Sequence, residues 1–299
     1  MFHLLIIITL FLGTGCFKTH SEFELKVKTK TNLIKSEVLA LDYWTNNKTL
    51  RNICKKTFIG EISNVLDYID ENEQGVNLNM SQDENYKEIC PQLDKIFNKL
   101  PKKINSFLDK YLIAIFLIKG SGSGGYFIEV FDEDINPAGG LILLDLEWLG
   151  SNSFNKARLR QFSKKYREII KFSNTKDVSP KLAFSFFHEV GHLISFIKRE
   201  PDEYWRKNRD SAGQIKVVNG ENELLSILKS GGEISLISSI DPYERLAEFI
   251  AMHLFLNIFD GQYMIIESQK PHKIVNFNCL NTDSCKIKKK ELVNLLKSL

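Results

Sequence analysis

One five-residue segment constrains this chain more than any other: His188-Glu189-Val190-Gly191-His192. Side chains four residues apart lie one above the other on a helix, so His188 and His192 can offer their imidazoles to the same cation. Glu189 lies about 100° round the helix from His188, close enough to hold a water molecule at that cation without binding the cation itself. The segment therefore predicts a helix that carries two metal ligands and a general base.

The flanking residues predict where this helix begins and ends. Ser179 and Pro180 are typical of a helix start, because a serine side chain caps backbone N–H groups and proline fits the first helical position. Lys198 and Arg199, followed by Pro201, are typical of a helix end. Most residues in between are apolar, so we expect a buried helix, in which two imidazoles and a carboxylate are costly unless they bind something. A zinc ion explains the pattern, and the alternative is a pair of hydrogen-bonded core histidines.

A catalytic zinc ion needs a third protein ligand and an open position. The residues after His192 contain no further histidine at the spacing of extended HExxH motifs, so the third ligand must come from another segment. The best candidate is the segment 241–253, where Asp241 and Pro242 predict the start of a second helix and Gly261 marks its end.

Two carboxylates on this second helix, those of Glu244 and Glu248, lie four residues apart and therefore share one face. Each of them is a candidate ligand. Because Glu244 lies three residues after Asp241, it is also placed for a capping role at the helix start. His253 lies between apolar neighbours, and we interpret it as a core residue rather than a functional one.

The pattern His188-Glu189-x-x-His192, followed about fifty residues later by Glu244-x-x-Ala-Glu248-x-x-Ala, resembles the gluzincin zinc metallopeptidases. It is most similar to members with a long interval before the third-ligand helix, the lethal-factor-like gluzincins. The resemblance implies that Glu244 is the third zinc ligand and that Glu248 orients a ligand histidine. It also implies that Glu189 is the general base of peptide hydrolysis.

Two further expectations come from the same resemblance. A tyrosine or histidine stabilises the oxyanion in such enzymes, and the candidates here are Tyr204, Tyr243 and Tyr263. The substrate lies antiparallel to an edge strand above the active-site helix. By its order in the chain, the segment 139–145 is the candidate for that edge strand.

Three short apolar segments predict β-strands at residues 112–118, 126–131 and 141–144. The Gly- and Ser-rich residues 120–125 precede a strand rather than a helix, so we interpret them as a flexible hairpin connection and not as a phosphate-binding loop. After Trp148 the chain is expected to be helical again, with a basic exposed face formed by Lys156, Arg158, Arg160, Lys164, Lys165 and Arg167.

These patterns together predict an α+β fold. Residues 112–299 are expected to form a zincin-like catalytic domain, in which a small mixed sheet with an edge strand lies over the HExxH helix and a second helix carries the glutamates. Apolar residues at three- and four-residue spacing predict a mainly α-helical region over residues 33–111.

The N-terminal residues predict export from the cytoplasm. The apolar run at residues 4–12 is shorter than the roughly 20 residues that span a bilayer, and it fits a signal peptide. Cys16 follows small residues as in bacterial lipoprotein signals, although Gly13 stands where such signals favour leucine. We therefore predict a signal peptide at 1–15, lipid on Cys16 and a polar tether at 16–32, which anchor the protein in a bacterial cell envelope. Simple secretion is the alternative.

The cysteine count supports this division. Five cysteines are an odd number, and setting Cys16 aside leaves Cys54, Cys90, Cys279 and Cys285. In an oxidising compartment two disulfides are expected. Proximity in the sequence favours the pairs Cys54–Cys90 and Cys279–Cys285, and four reduced thiols are the alternative.

Composition argues against two classes of protein. Lys and Arg total 40 against 37 Asp and Glu, and a net charge of only +3 argues against a dedicated nucleic-acid binder. Only the N-terminal segment is continuously apolar, which excludes a multi-pass membrane protein.

The sequence thus predicts a peptidase with one Zn²⁺ ion, acting on a protein or peptide substrate. The alternatives are a non-catalytic zincin-like surface lipoprotein that binds or adheres, and a toxin or effector protease with one specific protein target.

Overall fold

The computed structural model describes residues 37–46, 50–60, 62–72, 80–83, 86–121, 123–150, 166–172, 177–199, 235, 238, 242–267, 274–275 and 283–299. The signal peptide, Cys16, the tether, Tyr204, Asp241 and Cys279 lie outside these residues, so the expectations about them stay predictions. Within the described ranges, no helix combines the length and the apolar character needed to cross a membrane.

The first part of the described chain is mainly helical, as predicted, but it also contributes three short strands. Its elements are a 3-10 turn (Glu37–Leu39), α1 (Leu41–Asn46), β1 (Arg51–Cys54), β2 (Thr57–Ile59), α2 (Ser63–Asn72), β3 (Ser81–Gln82), α3 (Tyr86–Lys99) and α4 (Lys102–Tyr111). Strands this short do not show the alternation of apolar and polar residues by which a strand is predicted. A disulfide joins Cys54 of β1 to Cys90 of α3, which confirms that pairing.

The second part contains the three predicted strands and both predicted helices. Its elements are β4 (Leu112–Lys119), β5 (Gly125–Phe131), β6 (Pro137–Asp145), α5 (Leu146–Gly150), β7 (Tyr166–Phe172), α6 (Pro180–Lys198), α7 (Pro242–Ile258), β8 (Gly261–Glu267), β9 (Ile274–Val275) and α8 (Asp283–Lys297). Cys285 of α8 is buried and disulfide-bonded, while Cys279 lies outside the described residues. The fold is α+β, as predicted.

The prediction of a basic helix after Trp148 is wrong for the last basic residue that it includes, Arg167. Residues 166–172, which include Arg167, form strand β7 and pair antiparallel with β8 along their whole length. The segment contains aromatic and β-branched residues, which favour a strand, and its charged residues obscured that preference. The other five basic residues of the predicted helix lie outside the described ranges.

The main sheet is mixed, with the strand order β1-β2-β4-β6-β5 and with β3 also paired to β4. The prediction that residues 139–145 form the edge strand is wrong, because β6 lies between β4 and β5 and pairs with both. Its run Leu141–Leu144 is fully buried, as expected of a strand that is covered on both faces. Among the described strands, β5 lies at this end of the sheet.

The prediction of a hairpin connection at residues 120–125 is also wrong. β4 and β5 are not neighbours, and the hairpin is formed instead by β5 and β6. The start of the Gly- and Ser-rich segment is fixed by Asp145 at the end of β6, because the backbone N–H and the hydroxyl of Ser121 both donate to Asp145 Oδ2 at 2.7 Å. Ser121 and Asp145 are both buried.

The two faces of the sheet cover two apolar cores. Along β6, Ile142 and Leu144 face the core that contains α6 and α7, whereas Leu141 and Leu143 face the core that contains α1 and α2. This alternation follows from the two-residue period of a strand. The sheet therefore holds α6, with the HExxH segment, firmly on one face.

Candidate metal centre

Helix α6 begins and ends where its sequence predicts. The Ser179 hydroxyl accepts a hydrogen bond from the Leu182 N–H at 3.4 Å, and Pro180 occupies the first helical position. Arg199 ends the helix in the left-handed conformation, with φ at 56°. Residues 182–195 are buried throughout, so the HExxH segment lies inside the protein.

Helix α7 crosses α6 in close contact at Gly191. A Cβ atom added to Gly191 would lie 2.6 Å from Ala247 Cα and 2.9 Å from the Ala247 carbonyl oxygen. Only glycine permits this approach, because both contacts are to backbone atoms. The crossing brings Glu244 and Glu248, which flank Ala247 on α7, to the histidines of α6.

We expect Gly191→Ala to lower the free energy of unfolding by about 1–3 kcal/mol, the usual cost of overpacking. The loss should appear even though alanine favours a helix by about 1 kcal/mol over glycine. Chemical denaturation measures the change. Lys102→Ala, at an exposed position in the first turn of α4, is the control and should change the value by less than about 0.5 kcal/mol. An equally stable Gly191→Ala protein would contradict the close crossing.

His188, His192 and Glu244 form a compact cluster that is placed to hold a metal ion. His188 Nε2 lies 3.2 Å from Glu244 Oε2, and His192 Nε2 lies 3.6 Å from Glu244 Oε1. The two Nε2 atoms are 3.1 Å apart. The three residues are only 8%, 9% and 3% exposed, respectively. One ligand atom from each lies within 4.8 Å of the others.

These distances fit a tetrahedral cation. Two ligands that bind zinc at about 2.0–2.1 Å in tetrahedral geometry lie about 3.3 Å apart, close to the 3.1 Å between the two Nε2 atoms. Two ring nitrogens that face each other repel unless a proton or a cation lies between them. The donor set therefore fits a metal ion.

Glu248 contacts the other side of the His188 ring. Glu248 Oε1 lies 2.8 Å from His188 Nδ1, and Glu248 is fully buried. A carboxylate at Nδ1 stabilises the tautomer with its proton on Nδ1, which leaves the Nε2 lone pair for a cation. Of the two candidate glutamates, the structure thus places Glu244 in the cluster and Glu248 behind His188.

The side chain of Glu189, on α6, lies against the start of β5. A Cβ atom added to Gly125 would lie 2.9 Å from Glu189 Oε1, so the absence of a side chain at Gly125 leaves room for this carboxylate. Glu189 is 3% exposed, and its buried Oε2 has no hydrogen-bond partner in the part of the chain that the structure describes. An unpaired buried carboxylate oxygen is costly and is suited to receiving a proton.

The pKa values of these residues are governed by burial and by their mutual charges. Burial and the nearby carboxylates of Glu244 and Glu248 raise the pKa of Glu189 to about 8, although His188 opposes this shift. Burial lowers the pKa of His192 to about 4, against the carboxylates. Burial also acts to lower the pKa of His188, but Glu244 and Glu248 outweigh it and hold that pKa well above its ordinary value. A cation in the cluster would favour ionised Glu189, the form that accepts a proton.

The other candidate residues differ in their surroundings. Tyr243 directly precedes Glu244 and stays a candidate for oxyanion stabilisation. Tyr263 stacks on Phe184, with ring centroids 6.0 Å apart, and so belongs to the packing around α6. His253 is partly buried, and its Nδ1 lies 3.2 Å from Asn257 Nδ2, in keeping with a packing role.

One residue of the site could not be identified from the sequence. Ser235 is buried, and its hydroxyl donates a hydrogen bond to Glu248 Oε2 at 2.7 Å. Ser235 lies six residues before Asp241, among other serines and isoleucines, and no pattern distinguishes it there. Only the folded chain identifies it.

Comparison with known proteins gives no relative: no family model matches this chain, and no curated protein or solved structure matches it. The function must therefore be inferred from the geometry of the site.

Proposed function

We propose that this protein is a zinc-dependent metallopeptidase with a zincin-like fold. The observation that carries the proposal is the convergence of His188, His192 and Glu244, together with the buried carboxylate of Glu189, whose Oε2 has no hydrogen-bond partner among the described residues. Two imidazoles and one carboxylate are a ligand set of catalytic zinc, whereas calcium and magnesium prefer oxygen ligands alone. A buried carboxylate next to three such ligands is the arrangement that a hydrolase needs.

Each residue of the site has a role in this proposal. Zinc held by His188, His192 and Glu244 would polarise a peptide carbonyl and lower the pKa of a water molecule to about 7. Glu189 would accept a proton from that water at its free oxygen and donate it to the leaving amine. Glu248 would keep His188 in the orientation that exposes Nε2. Because β5 lies against Glu189 at Gly125, we propose that the peptide substrate lies along β5.

We also propose that the protein works outside the cytoplasm, anchored to a bacterial membrane through lipid on Cys16. The disulfide between Cys54 and Cys90 supports this location, because such bonds persist in oxidising compartments. Mass spectrometry of the membrane fraction, with Cys16→Ser as the comparison, tests the anchor.

Metal content and cleavage of a peptide library test the proposed activity together. We expect the purified full chain to contain one zinc per molecule by elemental analysis and to cleave members of the library. Prolonged chelation should abolish cleavage, and zinc should restore it. A chain that binds no zinc would overturn the proposal. Bound zinc without cleavage of any peptide or protein would favour the non-catalytic surface lipoprotein, and cleavage of one protein alone would favour the effector protease.

A further inference from the structure

We propose that Ser235 is a positioning residue for the metal ligand His188 and that it acts through Glu248. This inference rests on the proposed function and extends it to a residue that hydrogen-bonds to Glu248 rather than to a member of the metal cluster. The juxtaposition that carries it is a series of contacts between three buried groups: the Ser235 hydroxyl contacts the Glu248 carboxylate, which contacts the His188 imidazole.

The two carboxylate oxygens of Glu248 have different partners. Oε1 lies 2.8 Å from His188 Nδ1, and Oε2 accepts the Ser235 hydroxyl at 2.7 Å. The backbone of α7 next to Glu248 is fixed by the close contact between Ala247 and Gly191. The remaining freedom is in the Glu248 side chain, which has three rotatable bonds. A donor on Oε2 therefore determines how Oε1 meets the imidazole.

Ser235 is itself held in one orientation by Ser238. The Ser235 N–H donates to Ser238 Oγ at 3.0 Å, and the Ser238 N–H donates to Ser235 Oγ at 3.0 Å. The Ser238 hydroxyl donates to the Ser235 carbonyl oxygen at 2.7 Å. A serine hydroxyl has only one proton. Because Ser235 Oγ already accepts from the Ser238 N–H, its proton is directed to Glu248.

The contact between Glu248 and His188 affects metal binding through the position of the imidazole proton. The proton on His188 Nδ1 must stay there for Nε2 to offer its lone pair to a cation. Groups that orient a metal-ligating histidine typically change metal affinity by 10–100-fold when they are removed. Ser235 lies one contact further away, so we place its effect at the lower end of that range.

The experiment is a double-mutant cycle on the full chain, with zinc affinity as the measurement. We expect Ser235→Ala to weaken zinc binding about tenfold in competition with a chromophoric chelator. In a Glu248→Ala protein, the same Ser235→Ala change should alter the affinity less than twofold, because the carboxylate that connects Ser235 to His188 is absent. With cobalt as a probe, Ser235→Ala alone should also change the visible spectrum of the site.

Ser238→Ala is the matched control, because it disturbs the same turn without removing the donor to Glu248. We expect it to weaken zinc binding less than threefold. Equal losses in Ser235→Ala and Ser238→Ala would show a merely structural role for the turn and would overturn the inference. Unchanged affinity in Ser235→Ala, or an equal loss in the Glu248→Ala background, would overturn it as well, while the proposed function would stand. If the unaltered chain binds no zinc, both fail.

Discussion

Replacement of Glu189 by glutamine is expected to leave zinc bound and to lower peptide hydrolysis by about 10²–10⁴-fold, the usual contribution of a general base. The glutamine amide has nearly the shape of the carboxylate and fits below Gly125, but it cannot accept the proton of the attacking water. Because Glu189 is not one of the cluster residues, the metal content should stay at one zinc per chain. Elemental analysis and initial cleavage rates at saturating substrate measure the two quantities separately.

Glu88→Gln, on the exposed side of α3, is the control for this substitution and should change neither quantity. A Glu189→Gln protein that cleaves peptides at the unaltered rate would contradict the proposed role of Glu189. A protein that loses both zinc and activity would instead make Glu189 a ligand.

The second large effect is expected from the two glutamates of α7. Glu244→Ala removes one of three ligands, so we expect zinc affinity to fall by several orders of magnitude, well beyond the roughly 10–100-fold loss expected for Glu248→Ala. Since a bound ligand stabilises the folded state, the increase in melting temperature on zinc addition should disappear in Glu244→Ala and persist in Glu248→Ala. Calorimetry in the presence and absence of zinc measures both changes.

This pair of variants decides between the two glutamates. Complete loss of zinc in Glu248→Ala, together with retained binding in Glu244→Ala, would make Glu248 the ligand. That result would contradict the arrangement in which Glu248 Oε1 lies 2.8 Å from His188 Nδ1.

Local features of this fold could be predicted from the sequence because their causes are local. The start of α6 depends on Ser179 and Pro180, and the separation of four residues between His188 and His192 fixes their common face. The strands β4, β5 and β6 were predicted for the same reason, since each is a compact apolar segment between turn-forming residues.

The order of the strands could not be predicted because it depends on contacts between distant segments. A continuous apolar run such as Leu141–Leu144 fits any strand whose two faces are covered, and nothing in it determines which neighbours it has. Ser235 shows the same limit at the metal centre: its hydroxyl acts on Glu248, thirteen residues further along the chain, and the turn that directs it exists only in the folded protein. The separation of residues 33–111 from 112–299 as domains stays a prediction, although β4 pairs with β2 and β3 from the earlier region.

The depth of the metal centre has a consequence for the rate at which an ion enters or leaves. With His188, His192 and Glu244 each less than one-tenth exposed, a chelator would meet a bound ion only at the coordination position that a catalytic zinc keeps open. Full release of the ion requires these ligands to separate, and so it depends on local opening of α6 and α7, which are in close contact at Gly191 and Ala247. Exchange is therefore expected to be slow even if the affinity is modest, so removal of the ion should require prolonged rather than brief chelation.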